Sequence, residues 1–239
     1  MDGTERFLTL NVLPESRRDV EQLGSKRKFW FVHEGQKWLF KEARENTGED
    51  RAEKVASEVA AMLHLPTHYT ELAESEGRRG CAVKSFLTRN DTALVHGNEL
   101  LAGIIGNYDK DKVRGQPDHT FDNIVTVFER LFKNDKARRE ASFSMVGYLV
   151  LDALVGNTDR HHQNWGLIVT WGAVNTELSF SFRLAPTFDH ASSLGRELTD
   201  EARLRYLHDN TVDRYIRNGR GGIFLDAHAR RGLSPIGVV

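Results

Sequence analysis

The 239-residue chain carries 33 Lys and Arg against 34 Asp and Glu, a formal net charge of −1, with 39% hydrophobic and 28% charged residues. That balance supports a sizeable core and excludes both wholesale disorder and a one-sign field that would draw the chain onto nucleic acid or an anionic membrane. The single cysteine, Cys81, cannot close an internal disulfide, no apolar run approaches the ~20 residues of a membrane span, and Met1-Asp2-Gly3-Thr4 does not open a secretory signal, so a reducing, cytoplasmic setting is expected.

The length suits one large domain or two small lobes with a cleft between them. Gly24-Ser25-Lys26-Arg27-Lys28 forms a basic, Gly-containing turn whose free N–H groups suit approach to phosphates, although it is neither a Walker loop nor G-x-G-x-x-G. Phe29–Val32 and Trp38–Phe40 flank His33-Glu34-Gly35-Gln36 in the pattern of a β-hairpin, with Leu39 and Lys41 on one face of its second strand. An amphipathic helix is predicted over Gly48–Leu65, its apolar stripe formed by Val55, Val59, Met62 and Leu63 and containing Glu58. Cys81–Leu87 reads as a strand, and the lobe boundary is expected near Arg89.

The second half reads as mainly helical, with helices over Phe121–Phe132 and Glu140–Val155, the latter stopped by Gly156. A polar loop, Asn157-Thr158-Asp159-Arg160-His161-His162-Gln163-Asn164, follows at once. Gly166–Trp171 and Leu178–Phe182 then form a hairpin around Gly172-Ala173-Val174-Asn175 and lead to Pro186-Thr187-Phe188-Asp189.

Phosphoryl transfer asks a protein to position ATP, neutralise charge, and supply an Asp that receives the acceptor hydroxyl's proton, with oxygen ligands for metal. Asp159 and Asn164 have the five-residue separation of base and metal-binding Asn in a kinase catalytic loop, and Asp189 follows as a second metal ligand. Lys41 would reach nucleotide phosphates while Glu58 on the next helix holds it. His161 would orient Asp159 or the loop backbone. The crowding of His161, His162 and His190 also admits a metal-dependent hydrolase, although no H-E-x-x-H spacing is present.

Asn157, Asp159, His161 and Asn164 fit an Asn-x-Asp-x-His-x-x-Asn pattern, and Pro186-Thr187-Phe188-Asp189 fits Pro-x-x-Asp. On these motifs the chain resembles the HipA-type serine/threonine kinases from about Leu23 to about Tyr215. The resemblance implies an α+β, two-lobed protein-kinase-like fold, with a small β-rich N-lobe over residues 1–89 and a mainly helical C-lobe over 90–239. It implies Asp159 as base with Asn157 and His161 in the catalytic loop, Asn164 and Asp189 as ligands of Mg2+ or Mn2+, and Lys41 on the ATP phosphates. Val83–Leu87, including Lys84 and Phe86, would be the hinge that meets adenine. Ser25, beside Gly24, matches a serine that family members autophosphorylate.

Few residues precede Gly24, so the resemblance implies a short member lacking the N-terminal subdomain of the family's toxins, and Gly232–Val239 reads as an end without a closing helix. Those toxins act with a DNA-binding antitoxin and phosphorylate a translation factor; an antitoxin partner and a protein substrate are therefore expectations. A small-molecule or lipid kinase, and a non-catalytic ATP-binding module, remain alternatives on the same scaffold.

Overall fold

In the structure, a computed structural model, residues 8–20, 27–174 and 177–239 are described. Alternating apolar residues build the first half. Strands β1 (Thr9–Asn11), β2 (Arg17–Val20), β3 (Lys28–His33), β4 (Gln36–Glu42), β5 (Thr70–Ser75) and β6 (Arg78–Lys84) form a six-stranded sheet in the order β1-β5-β6-β4-β3-β2. Glu34 (φ 50°) and Gly35 (φ 71°) close the β3–β4 hairpin in a two-residue turn with both residues left-handed, the twist that suits adjacent antiparallel strands. Period two sends Phe29, Phe31, Trp38 and Phe40 to one buried face, where Phe29 and Phe40 meet at 5.0 Å between ring centroids. Leu39 and Lys41 point to the opposite face.

Helix α1 (Glu49–Met62) covers that opposite face, but not with the predicted stripe. Its buried side is Ala52, Glu53, Ala56 and Ala60, whereas Val55 and Met62 are exposed. Small alanines let the helix lie close to the sheet and to Leu151 and Val155 of the later helix, so of the predicted stripe Val59 packs inward while Val55, Met62 and Leu63 lie outward.

A second, three-stranded sheet, β7-β8-β9, joins β7 (Thr92–His96) to β8 (Gly166–Val174) and β9 (Glu177–Leu184). The β8–β9 hairpin extends further than expected: Gly172 pairs with Ser179 and Val174 with Glu177, so Gly172 and Ala173 are strand and not turn. Helices α2 (Gly97–Ile104), α3 (Phe121–Leu131) and α4 (Asp135–Val155) pack beside this sheet around Leu101, Ile124, Phe128, Met145, Tyr148 and Leu167. Helix α4 begins five residues before the predicted start, because Asn134 caps it by accepting from the Lys136 and Ala137 N–H groups. Gly156, left-handed at φ 64°, stops it where predicted.

Two short helices follow, α5 (Asp200–His208) and α6 (Val212–Asn218). The Gly232–Val239 segment, expected to lack a closing element, contains a 3-10 turn at Pro235–Gly237 that packs on α4 with Pro235 buried.

Candidate active site

Lys41 leaves β4 on the face opposite the aromatic core, and its ammonium meets two carboxylates, Asp189 Oδ1 at 2.8 Å and Glu53 Oε1 at 3.6 Å. Burial works against the Lys41 charge, yet Asp189 and Glu53 together hold its pKa above the ordinary lysine value. Burial likewise opposes the Asp189 carboxylate, but Lys41 outweighs it and pulls the carboxyl down to about 2. Asp189 has φ 62°, a left-handed conformation unusual for a non-glycine residue. Backbone strain of this kind concentrates at functional sites.

The partner of Lys41 on α1 is Glu53 and not Glu58. Glu58 is five residues further along the helix, is 43% exposed, and pairs with Lys54 at 2.7 Å. Glu53 is fully buried and lies 3.0 Å from His68 Nε2 as well as near Lys41. Burial would raise its pKa, but Lys41 and His68 hold it well below the usual carboxylate range. The expected pairing of Lys41 with Glu58 is therefore corrected to Glu53, because the helix turns Glu53 and not Glu58 toward the sheet.

The polar loop begins where Gly156 ends α4. Asn157 is buried and braces the loop at both ends of its amide: Nδ2 donates to Asp152 Oδ1 at 2.8 Å and Oδ1 accepts the Asp159 N–H at 3.1 Å. Asn164 Nδ2 donates to the Asp159 carbonyl at 2.7 Å, closing the loop on itself. These bonds hold the Asp159 backbone while its carboxylate stays partly exposed, with Ser192 Oγ donating to Oδ2 at 3.4 Å. His161 Nδ1 accepts the Gln163 N–H, and Nε2 faces Asp159 Oδ1 at 4.0 Å. Burial lowers the His161 pKa, so a neutral ring fits this arrangement.

Arg160 is the hub the motif reading overlooked. Its guanidinium, almost wholly buried, makes a two-point pair with Asp152, Nε to Oδ2 at 2.7 Å and Nη2 to Oδ1 at 2.8 Å. Nη1 donates to the carbonyls of Asn164 at 2.6 Å and Phe188 at 3.3 Å, and Nη2 reaches Thr187 Oγ1 at 3.1 Å. One side chain thus binds the end of the loop to the residue before Asp189. Gly222 lies against the same stretch: a Cβ there would fall 2.6 Å from the Arg160 carbonyl oxygen and 2.7 Å from the His161 backbone.

The three histidines point to different partners. His162 Nδ1 meets the Tyr108 hydroxyl at 2.8 Å, and the buried His190 ring stacks on His68 at 5.4 Å and contacts Arg160 at 3.4 Å. Burial and Arg160 push the His190 pKa well below its ordinary value. Among the described residues no group of three or more His, Cys, Asp or Glu side chains is placed to hold a metal ion, so the three histidines offer the hydrolase reading no shared pocket there.

Phe86, just past β6, lies tilted against Phe188 with ring centroids 6.1 Å apart, and His96 approaches the same ring edge-on at 6.0 Å. An apolar wall therefore adjoins the ion cluster. Lys84 instead ends β6 with its backbone N–H on the Tyr69 carbonyl and its ammonium 6.0 Å from the Trp38 ring. Gly24 and Ser25 lie outside the described residues.

The donor set fits a hard divalent cation. Asn164 commits its amide nitrogen to Asp159 and keeps its side-chain oxygen, and Asp189 keeps Oδ2 while Lys41 holds Oδ1. The shared Arg160 nitrogen brings the two segments together.

Comparison with known proteins bears on the whole arrangement. A search of curated proteins finds no match. Among solved structures, the chain is similar to the Helicobacter pylori proinflammatory kinase CtkA, with TM-score 0.74 and 19% identity over 94% of this chain and 75% of that one. It is also similar to HipA from Shewanella oneidensis MR-1, solved with HipB and operator DNA, with TM-score 0.53 and 12% identity over 91% of this chain and 49% of that one. The chain thus spans about half the HipA chain. These likenesses establish the two-lobed, kinase-like α+β fold. The family model for the HipA-like C-terminal domain matches residues 22–221, and the chain belongs to that family.

Proposed function

We propose that this HipA-like kinase-family chain is an ATP-dependent protein kinase that transfers the γ-phosphoryl group to a serine or threonine hydroxyl. The observation that carries the reading is the Lys41–Glu53–Asp189 cluster, tied through Arg160 to the loop bearing Asp159 and Asn164. Asp159, partly open to solvent, accepts the proton of the acceptor hydroxyl as its oxygen bonds to the γ-phosphorus. The bond from that phosphorus to the bridging oxygen breaks, and ADP leaves with the electron pair. Lys41 exchanges its contact with Asp189 for phosphate oxygens, while Glu53 retains it. Asn164 and Asp189 would hold Mg2+ or Mn2+, which when bound would add to the neutralisation of the phosphates.

The apolar wall of Phe86 and Phe188 offers a surface for a nucleobase, and the Val83–Leu87 backbone is the hinge of this reading. The Helicobacter pylori relative is named a kinase, which supports the activity; the Shewanella relative is in a toxin–antitoxin complex, which supports an antitoxin partner here. A translation factor as substrate, autophosphorylation at Ser25 and a cytosolic setting complete the proposal. Phosphoproteomics of cells producing the wild type or Asp159→Asn tests the acceptor class. Phosphoserine or phosphothreonine sites present only with the wild type are expected. Phosphate found instead on metabolites or lipids would replace the protein-kinase reading with a small-molecule one.

A further inference from the structure

Glu53 is the only part of the Lys41 cluster with no exposure at all, and a buried carboxylate needs matched partners to remain charged. Lys41, at 3.6 Å, is a loose one. The nearer is His68, whose Nε2 lies 3.0 Å from Oε1, within contact distance but not aligned as a hydrogen bond. His68 belongs to the short segment between α1 and β5, and its other ring nitrogen, Nδ1, faces the Thr187 carbonyl at 2.8 Å.

That carbonyl also accepts the His68 backbone N–H at 3.2 Å, the Thr187 N–H returns to the Pro66 carbonyl at 2.8 Å, and the His68 ring lies nearly parallel to His190 at 15°. One imidazole therefore spans α1 and the segment on either side of Asp189. Both carboxylates that bracket Lys41 are referred to it.

We infer that His68 is a positioning residue for Lys41: it fixes the Glu53 carboxylate relative to Asp189, so that Lys41 stays aligned when it turns from Asp189 to phosphate. The inference rests on the phosphoryl-transfer reading and adds a third member to its Lys–Glu pair. A histidine that merely fills space would need neither ring nitrogen in particular.

His68→Gln and His68→Asn separate the two roles. The glutamine amide nitrogen can take the place of Nε2 and donate to Glu53; the asparagine amide nitrogen takes the place of Nδ1 and reaches Thr187 but not Glu53. With MgATP and the full chain, each variant read below its own melting transition, Gln is expected to keep kcat within about threefold, while Asn loses roughly 100-fold. Equal kcat in the two variants would overturn the inference.

A second arm does not depend on turnover. In side-chain nitrogen NMR of the full chain, Glu53→Gln should move the His68 Nε2 resonance and leave Nδ1 nearly in place; an unmoved Nε2 would overturn the inference. A wild-type chain inert toward ATP would remove the phosphoryl-transfer reading and leave this spectrum to decide whether His68 holds Glu53.

Discussion

Arg160 and Asp152 form a two-point ion pair inside the protein, with both side chains almost wholly buried. The pair joins the last turn of α4 to the polar loop that follows it, and the remaining guanidinium hydrogens go to Asn164, Phe188 and Thr187. Every candidate reacting group in the second half of the chain is placed by reference to it.

Asp152→Asn leaves the Arg160 charge buried without its counter-ion. Breaking a buried pair from one side costs about 3–5 kcal/mol, so chemical denaturation should show a loss of that order. Arg160→Lys should also destabilise, because an ammonium cannot reproduce the two parallel bonds or reach the Asn164 and Phe188 carbonyls together.

Two glutamates on one helix should behave oppositely. Glu53→Gln removes a buried charge beside Lys41 and is expected to lower kcat/KM for ATP roughly 10- to 100-fold. Glu58→Gln disturbs only a pair with an exposed carboxylate and should change stability by no more than about 0.5 kcal/mol, with kcat/KM unaltered. Steady-state kinetics on both variants checks the assignment; similar losses in the two would refute it.

Stability should fall as pH drops below the ordinary histidine range. Burial lowers the His119 pKa from 6.5 to about 3, and the ring is locked neutral between the Gly222 carbonyl, facing Nδ1, and the Trp165 Nε1–H, donating to Nε2. Between those values the unfolded chain binds the proton and the folded chain does not, so acid favours unfolding across that window. Urea midpoints at pH 7 and pH 5 should differ, and His119→Gln should reduce the difference; a pH-independent midpoint would contradict this.

Gly222→Ala should disturb the loop from outside. Its Cβ would meet the Arg160 carbonyl oxygen at 2.6 Å, a backbone contact that cannot rotate away. A cost of about 1–3 kcal/mol is expected, with activity falling beyond what the stability loss explains. Parallel thermal melts and turnover measurements separate the two effects.

Periodicity and punctuation made much of this architecture legible. The β3–β4 hairpin, the stop at Gly156 and the approach to Asp189 follow from alternation and glycine placement. The closeness of Asp159 and Asn164 was legible in their spacing, because the loop between them is local and closes on itself. Glu53 was not: the helix buries alanines and exposes Val55 and Met62, so apolar bulk marked the wrong face. His68 and Thr187 act through partners distant in sequence, which no local pattern encodes, and Asp152 meets Arg160 only because the chain turns back past the end of α4. Arg160 lay inside the motif, yet its role depends on the carbonyls of Asn164 and Phe188, which only the fold brings together. A charged run without apolar rhythm hid the start of α4.

The central claim, that Asp159 serves a phosphoryl-transfer site built on Lys41, Glu53 and Asp189, is tested most directly with radiolabelled ATP. Purified wild type with Mg2+ or Mn2+ should pass label to itself or to proteins of a cell lysate, and Asp159→Asn should lower transfer by about 10²–10⁴-fold while still binding ATP. Equal labelling by the two proteins, or no ATP binding and no labelling by the wild type, would contradict it.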